Sequence, residues 1–343
     1  MICVLSHQYL EYTTEQVVAW LRAWKLPVVR VNGNDIANPG THCVVGNGRR
    51  AWQVESAGRA VDPRQVSVVW YRRWSHSTGF HDAVIFRRPS SDDRMNSLLM
   101  TNHLTKEVQA VSRFFFKEMD AAAWLSDPET DAPNKFHTLR LAAELGLDIP
   151  ETLVTSDPAR LAEFAARHGG VITKAAGDGL ICRVEDRMYG TYTTLIPGRL
   201  LEDGGWRGGF PSFFQEKLDK RYEVRSFYLD GEFYSMAIFS QRHSDTAIDF
   251  RRYRYKDPSR SVPYRLPAEV EGRLRELMKA LGLETGSLDI VRTVDGRYVF
   301  LEVNPVGQFG MVSAPCNYLL EKKVASALAE RFHAKQNSER RAH

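Results

Sequence analysis

Three oxygen-bearing side chains lie within an apolar hairpin near the end of the chain, and this pattern restricts the fold more than any other feature. Residues 287–304 alternate as two strands about the Asp295-Gly296 turn, with Asp289 on the first strand and Glu302 and Asn304 two apart on its partner. Residues two apart on a strand share a face, and an acid among apolar neighbours needs a compensating charge. The triplet therefore predicts a site for a hard divalent cation such as Mg²⁺, whose shell nucleotide phosphates commonly complete. An ordinary hairpin with its charges on a solvated face is the alternative.

A lysine and a glycine-containing loop follow an earlier apolar strand. Lys174 ends that strand and precedes Ala175-Ala-Gly-Asp-Gly-Leu180, so a cation stands before a segment whose backbone N–H groups can cradle phosphates. This is not a Walker sequence, because the lysine precedes the glycines and no Gly-Lys-Ser/Thr follows. A turn that simply contains glycine is the alternative.

A third segment has the composition of a purine site. Phe213-Phe-Gln-Glu-Lys-Leu218 is an apolar strand end that meets Glu216, and Glu223 lies seven residues later at the start of the next strand. A purine site needs an apolar wall, backbone groups with a carboxylate for the exocyclic amine, and a second carboxylate for the ribose hydroxyls. A surface charge run over residues 216–221 is the alternative.

In chain order these pieces resemble the ATP-grasp superfamily of carboxylate-amine ligases. The order is Lys135 after a helix-start asparagine, Lys174 with its loop, residues 215–218, Glu223 with Arg225, and finally the hairpin triplet. Five loosely specific elements in this order arise by chance much less often than any one of them alone.

Longer strings narrow the resemblance to ligases that modify ribosomally made precursor peptides. They are Trp70-Tyr-Arg-Arg-Trp74, Asp249-Phe-Arg251, and Glu302-Val-Asn-Pro-Val-Gly-Gln-Phe-Gly-Met-Val-Ser-Ala-Pro-Cys-Asn-Tyr318. Over nearly the whole chain, the sequence resembles the grasp-with-SPASM maturases, which work with a SPASM-domain radical enzyme. These maturases are relatives of the microviridin-type graspetide ligases, which form esters and amides.

The resemblance implies an α/β chain with the α+β ATP-grasp fold, divided into parts. The expected parts are an N-terminal pre-ATP-grasp α/β domain over 1–126, a central lid subdomain over 127–211, a C-terminal antiparallel-sheet catalytic subdomain over 212–334, and a polar tail over 335–343. A Pro/Asp-rich seam at 127–134 marks the first boundary. ATP is expected to bind between the lid and the catalytic subdomain.

The resemblance also implies ATP and Mg²⁺ as cofactors and assigns residues to each part of the nucleotide. Lys135 and Lys174 should contact the phosphates. Adenine and ribose should be held by Glu216, Lys217, Leu218 and Glu223. The Mg²⁺ ions that bridge the β- and γ-phosphates should be held by Asp289, Glu302 and Asn304.

Three arginines are expected to act on the reacting groups. The resemblance assigns Arg225 and Arg242 to neutralise the transferred phosphoryl group or the acyl phosphate. Arg251 is the candidate for gripping the acceptor carboxylate, since a planar guanidinium pairs bidentately with carboxylates.

The implied activity is ATP-dependent maturation of a precursor peptide made of a leader and a core. The enzyme would activate an Asp or Glu side chain as an acyl phosphate, and a hydroxyl or amine would then form an ester or amide macrocycle, with release of ADP and phosphate. A ligase that adds free amino acids to a peptide or protein terminus is the alternative with the same fold. A nonenzymatic peptide-binding scaffold is a third possibility, disfavoured because Lys135, Lys174 and the hairpin triplet are all present.

Composition excludes several other classes of protein. The 343 residues carry 46 Lys plus Arg and 42 Asp plus Glu, and the net charge of +4 is spread along the chain, which argues against nucleic-acid binding. Four widely spaced cysteines and the lack of a long apolar run or signal peptide predict a cytoplasmic protein that is not bound to a membrane. Oligomeric state stays open, with a homodimer among the alternatives.

Overall fold

The computed structural model describes residues 1–7, 11–74, 94–128, 133–177, 179, 181–201, 205–242, 248 and 259–342. The helices in these ranges are α1 (Tyr12–Ala23), α2 (Arg94–Lys117), α3 (Lys135–Glu144), α4 (Pro158–Arg167), α5 (Ala268–Ala280), α6 (Gly310–Cys316) and α7 (Leu320–Ala342). The strands are β1 (Ile2–Ser6), β2 (Val28–Asn32), β3 (His42–Gly46), β4 (Arg49–Ser56), β5 (Arg59–Val61), β6 (Val68–Tyr71), β7 (Ala123–Leu125), β8 (Thr152–Thr155), β9 (Val171–Thr173), β10 (Ile181–Val184), β11 (Arg187–Gly190), β12 (Thr194–Leu195), β13 (Ser212–Glu216), β14 (Lys220–Leu229), β15 (Glu232–Phe239), β16 (Arg260–Tyr264), β17 (Thr285–Thr293) and β18 (Tyr298–Asn304).

The chain divides into two compact units. The first comprises Met1–Asp131, Gln308–Gly310 and Leu319–His343, and the second comprises Ala132–Gly307 and Met311–Tyr318. Division into a pre-ATP-grasp domain, a lid, a catalytic subdomain and a tail stays a prediction.

The first unit is built on a parallel sheet. Its strand order is β2-β1-β6-β7, and its neighbouring strands pair in parallel. Helices α1 and α7 contact each other in this unit. The four apolar residues Leu320, Val324, Leu328 and Phe332 recur every fourth position of α7 and are buried, which accounts for a long helix in an otherwise polar sequence. The polar segment predicted as a tail is helical as far as Ala342.

A small antiparallel sheet in the second unit packs on helix α4. Its strand order is β12-β9-β13-β8. The Asp157 side chain caps α4 by accepting the N–H of Ala159 at 2.9 Å, and Pro158 occupies the first helical position, where its missing N–H costs nothing. Buried side chains from the helix and the sheet form one cluster, which contains Leu161, Phe164, Val171 and Phe214.

A larger antiparallel sheet in the same unit holds the hairpin triplet. Its order is β16-β15-β14-β17-β18, so β14 lies beside β17 although some 55 residues separate them in the sequence. One face is buried under α5, where Leu274, Leu277 and Met278 are fully covered. Acidic residues in the first turn of α5 and Lys279 in its last turn suit the helix dipole.

Two irregularities decide which side chains reach the other face of this sheet. In the pairing of β17 with β18, Asp289 lies opposite Glu302 and Ile290 opposite Phe300, so Leu301 is an extra residue. A bulge of this kind reverses the alternation, which allows Phe300 to enter the core while Glu302 joins the open face. The pairing of β14 with β17 shifts in the same way at Arg221.

The predicted α/β organisation, with an antiparallel sheet carrying the hairpin triplet, is confirmed. Within the described ranges, no helix has the length and apolar character that crossing a bilayer requires.

Candidate functional site

Charged side chains form a row across three neighbouring strands of the larger sheet. Arg225 on β14 lies opposite Asp289 on β17, and Asp289 lies opposite Glu302 on β18. Asn304, two residues after Glu302, lies opposite Ser287. Directly opposed residues on neighbouring strands point to the same face, so the structure brings the predicted triplet together with Arg225.

Arg225 and Asp289 form a close ion pair. Nη1 of Arg225 lies 2.7 Å from Oδ1 and 2.8 Å from Oδ2 of Asp289. Both side chains are largely covered, and a partly desolvated charge pair is expensive to break because the remaining charge loses its partner. The arginine predicted to act on the phosphoryl group is thus held beside a predicted metal ligand.

Lys135 reaches Glu302 from the start of helix α3. The Asn134 side chain caps this helix by accepting the N–H groups of Phe136 and His137 at 3.0 and 3.1 Å. The cap fixes Lys135 at the first helical position, and its Nζ lies 3.2 Å from Oε2 of Glu302. The same ammonium group donates to the carbonyl of Ala175 at 3.1 Å, which ties the helix start to the glycine-containing loop.

Lys174 approaches the same carboxylate from the end of β9. Its Nζ lies 3.8 Å from Oε2 of Glu302. The ring of Phe213 lies beneath both lysines, with its centroid 5.9 Å from Nζ of Lys135 and 5.5 Å from Nζ of Lys174. An aromatic face within about 6 Å attracts an ammonium group, so Phe213 helps to hold the two cations close together. Sequence reasoning did not assign this role to Phe213.

Glu302 remains ionised in this setting. Burial by itself raises the pKa of the carboxyl group. The charges of Lys174 and Lys135, with hydrogen bonds from Lys135 and Asn304, outweigh burial and lower the pKa of Glu302 from 4.5 to about 2. With Lys135 and Lys174 included, the charged row contains three cations and the two carboxylates of Asp289 and Glu302. The resulting excess of positive charge suits phosphate groups.

Acid titration should reveal the charge on Glu302. Because its folded pKa is about 2 and its ordinary pKa is 4.5, the ionised group stabilises the fold above pH 4.5 and loses that contribution as the pH falls toward 2. Wild type should therefore resist urea better than Glu302→Gln at neutral pH, with a gap that narrows below pH 4.5. Urea midpoints of both proteins across this range measure the gap, and a gap independent of pH would contradict the assigned charge.

The predicted adenine segment lies where β13 ends. Oε1 of Glu216 accepts the N–H of Glu151 at 2.9 Å, and Nδ1 of His168 lies 3.9 Å from Oε2 of Glu216. The backbone N–H of Lys217 donates to Gly170 at 2.9 Å, and Leu218 is half-buried. The segment therefore already uses the Glu216 carboxylate and the Lys217 N–H in contacts within the protein. Its role in adenine binding stays a prediction.

The predicted ribose carboxylate has a cation beside it that sequence reasoning missed. Glu223 lies on the same face of β14 as Arg225, two residues away. Its Oε1 accepts hydrogen bonds from Nζ of Lys220 and, at 3.3 Å, from the Ser240 hydroxyl. On a regular strand Lys220 would point to the opposite face from Glu223, and the bulge at Arg221 brings the two together.

The side chains of two predicted arginines lie outside the described residues. Arg242 ends a short 3₁₀ turn over Ser240–Arg242, and its side chain lies outside the described residues. Arg251, with the rest of the Asp249-Phe-Arg251 string, also lies outside them.

The side chains present fit Mg²⁺. The described part of the chain contains no group of three or more His, Cys, Asp or Glu side chains that could hold a metal ion. The candidate metal ligands are the two carboxylates of Asp289 and Glu302 and the amide oxygen of Asn304, which neighbour one another on β17 and β18. Magnesium takes oxygen donors, is commonly held by only one or two carboxylates, and completes its shell with water and phosphates. This small, all-oxygen set suits magnesium better than zinc, which favours nitrogen and sulfur.

By sequence, no protein-family model and no curated protein matches the chain, but solved structures do. The RiPP-associated ATP-grasp ligase of Chryseobacterium gregarium, in complex with ADP and a leader and core peptide, is 21% identical with a TM-score of 0.81, covering 96% of each chain. The macrocyclase MdnC of Microcystis aeruginosa MRC, bound to the precursor peptide MdnA, is 25% identical with a TM-score of 0.79, covering 96% of this chain and 99% of MdnC.

A third structure of this kind contains the metal. The ATP-grasp ligase PsnB, complexed with a minimal precursor, Mg and ADP, is 19% identical with a TM-score of 0.72, covering 96% of each chain. These similarities extend over nearly the full length of the chain and confirm the ATP-grasp fold that the motifs predict.

Proposed function

We propose that the protein is an ADP-forming ATP-grasp ligase that matures a ribosomally made precursor peptide. The single observation that carries the proposal is the charged row in which two lysines from different elements meet the predicted metal carboxylate Glu302, beside the Arg225–Asp289 pair. This array suits a bound polyphosphate and a metal ion. The similar ligases hold ADP, Mg and precursor peptides in their own structures, which supports the same substrate class here.

The proposed reaction has two steps. In the first, an oxygen of an Asp or Glu side chain of the peptide bonds to the γ-phosphorus of ATP, and the bond to the β,γ-bridging oxygen breaks to release ADP. In the second, a hydroxyl or amine of the same peptide bonds to the acyl carbon, loses its proton and expels inorganic phosphate. The product is an ester or amide crosslink that closes a ring.

The assigned residues supply positioning and charge rather than covalent chemistry. Lys135 and Lys174 bind the phosphates, and the segment from Glu216 through Lys217 to Leu218 holds adenine while Glu223 binds the ribose. Asp289, Glu302 and Asn304 would hold Mg²⁺, which would supply positive charge to offset the charge of the phosphates.

Arginines complete the proposed site. Arg225 and Arg242 stabilise the transferred phosphoryl group, and Arg251 grips the peptide carboxylate. Residues 127–211 form a lid over the catalytic subdomain 212–334, following the domain 1–126 and preceding the tail 335–343. Closure of the lid keeps water from hydrolysing the acyl phosphate.

The proposed partners are a leader-bearing precursor peptide and a SPASM-domain radical enzyme. We place the protein in the cytoplasm. All four cysteines are free, which suits a reducing compartment.

Mass spectrometry of candidate peptides tests the proposal. The purified protein is incubated with ATP, Mg²⁺ and synthetic copies of short peptides from neighbouring reading frames that are rich in Asp or Glu and contain Ser, Thr or Lys. Each bond formed should remove the mass of one water from the peptide and release one ADP. Omission of ATP provides the control.

Other outcomes identify the alternatives. A gain equal to an amino-acid residue would favour a ligase that adds free amino acids to a terminus. Peptide binding without ADP formation or a mass change would favour a nonenzymatic scaffold and would contradict the proposal.

A further inference from the structure

Lys220 is a largely buried cation at the start of β14 that no step described above employs. Its side chain is 11% exposed and that of Glu223 is 9% exposed. Burying a lysine in this way requires compensation, and the carboxylate of Glu223 provides it. Arg221, the next residue, is exposed and belongs to the ordinary charged surface.

Two donors act on one oxygen of Glu223. Nζ of Lys220 and the hydroxyl of Ser240 both donate to Oε1. Two hydrogen bonds from different directions to one oxygen restrict the rotation of a carboxylate, and charge-assisted bonds do so more strongly than neutral ones. Lys220 therefore sets the orientation of the carboxylate to which the ribose is assigned.

The same ammonium group makes a second, distant contact. It donates to the backbone carbonyl of Ile248 at 3.0 Å, across 28 positions of the chain. An ammonium group has three donors, so it can hold a carboxylate and a carbonyl at once. Ile248 directly precedes the Asp249-Phe-Arg251 string in the sequence.

We propose that Lys220 is a positioning residue that links the ribose carboxylate Glu223 to the backbone carbonyl of Ile248, so that a nucleotide bound at Glu223 stabilises the backbone at Ile248. The assignment rests on the nucleotide-binding part of the proposed function. Because Lys220 contacts both Glu223 and Ile248, a ligand that stabilises Glu223 also stabilises the backbone at Ile248. Coupling between two sites is reciprocal, so a stabilised Ile248 in turn favours ligand binding at Glu223. ADP bound at Glu223 stabilises the Lys220 contact with Ile248. Without Lys220, ADP binding no longer affects the backbone at Ile248.

Calorimetry and hydrogen exchange with ADP and Mg²⁺ test the link without requiring a peptide or turnover. Lys220→Met should weaken ADP binding on the order of tenfold, the effect of losing one charge-assisted hydrogen bond. In wild type, ADP should slow amide exchange in the proteolytic fragment that contains Ile248, and in Lys220→Met this slowing should vanish. Lys279→Met is the matched control, since it removes an exposed lysine at the end of α5 and should change neither quantity.

Two more variants separate the two contacts of Lys220. Lys220→Arg keeps a donor for each contact and should retain the exchange effect. Ser240→Ala removes the hydroxyl that donates to Glu223 and accepts from the side-chain amide of Gln241, and it leaves the donor to Ile248 in place. It should therefore weaken ADP binding while ADP still slows exchange at Ile248. These variants also keep the proposal falsifiable if Lys220→Met does not fold.

Three results would overturn the link. They are wild-type ADP affinity in folded Lys220→Met, slowing of exchange at Ile248 by ADP in that variant, or loss of the effect in Lys220→Arg. A wild type that binds no ADP would remove this proposal together with the nucleotide site. A wild type that binds ADP but joins no peptide would overturn the proposed ligase activity and leave the Lys220 link standing.

Discussion

Glu302→Ala is expected to lower peptide-dependent ADP formation by on the order of 10³-fold, the scale of losing a preorganised electrostatic group in a water-poor site. Glu302 is the carboxylate on which Lys135 and Lys174 converge, and it lies opposite Asp289 across the strand pair. Its removal takes away a predicted metal ligand and leaves two ammonium groups without their shared partner. Peptide affinity should stay close to that of wild type, because the loss concerns the nucleotide end of the site.

The controls separate chemistry from folding. Glu302→Gln keeps the shape of the side chain and removes its charge, and it should be almost as inactive as the alanine variant. Glu276→Gln removes an exposed carboxylate of α5 and should retain full activity. Thermal denaturation checks that each variant folds. ADP formation at the wild-type rate by folded Glu302→Ala would show that Glu302 is not part of the site.

Lys174→Met is expected to reduce turnover by on the order of 10²-fold or more, because a cation aimed at a transferring phosphoryl group contributes mainly in the transition state. Its side chain is only 12% exposed, lies over Phe213 and is anchored at the end of β9. The unbranched methionine keeps much of the apolar stem while removing the charge. The effect should fall on kcat and on ATP affinity, measured by steady-state kinetics in ATP and peptide separately.

Lys279→Met is the matched control for this variant, since Lys279 is an exposed lysine at the end of α5. It should leave kcat and both KM values unchanged. If Lys174→Met raises only the KM for the peptide, Lys174 contacts the peptide rather than ATP. Unchanged turnover in both Lys174→Met and Glu302→Ala would refute the assignment of the charged row as the catalytic site.

Local sequence signals predict much of the second unit. Asp-Gly turns mark both hairpins of the larger sheet, and Gly231 and Gly296 adopt φ values of +93° and +96°, which other residues rarely tolerate. The asparagine before Lys135 predicts a helix start, and the structure has that cap. These features are determined within a few residues of chain, so a single sequence reveals them.

Long-range pairing and bulges are less accessible to sequence reasoning. Arg225 lies opposite Asp289 because β14 pairs with β17 in the sheet. No local sequence pattern specifies that these two strands are neighbours. The bulge at Arg221 brings Lys220 beside Glu223 against the two-residue period of a strand. A lysine three positions before an assigned carboxylate is the only sequence signal for this contact, and it is too common to stand alone.

An isotope experiment tests the acyl phosphate most directly. A precursor peptide is prepared with the heavy oxygen isotope in its Asp and Glu side-chain carboxylates and is incubated with the protein, ATP and Mg²⁺. If a carboxylate oxygen attacks the γ-phosphorus, each crosslink should transfer one heavy oxygen into the inorganic phosphate released with ADP. Crosslinked peptide accompanied only by unlabelled phosphate would contradict the account.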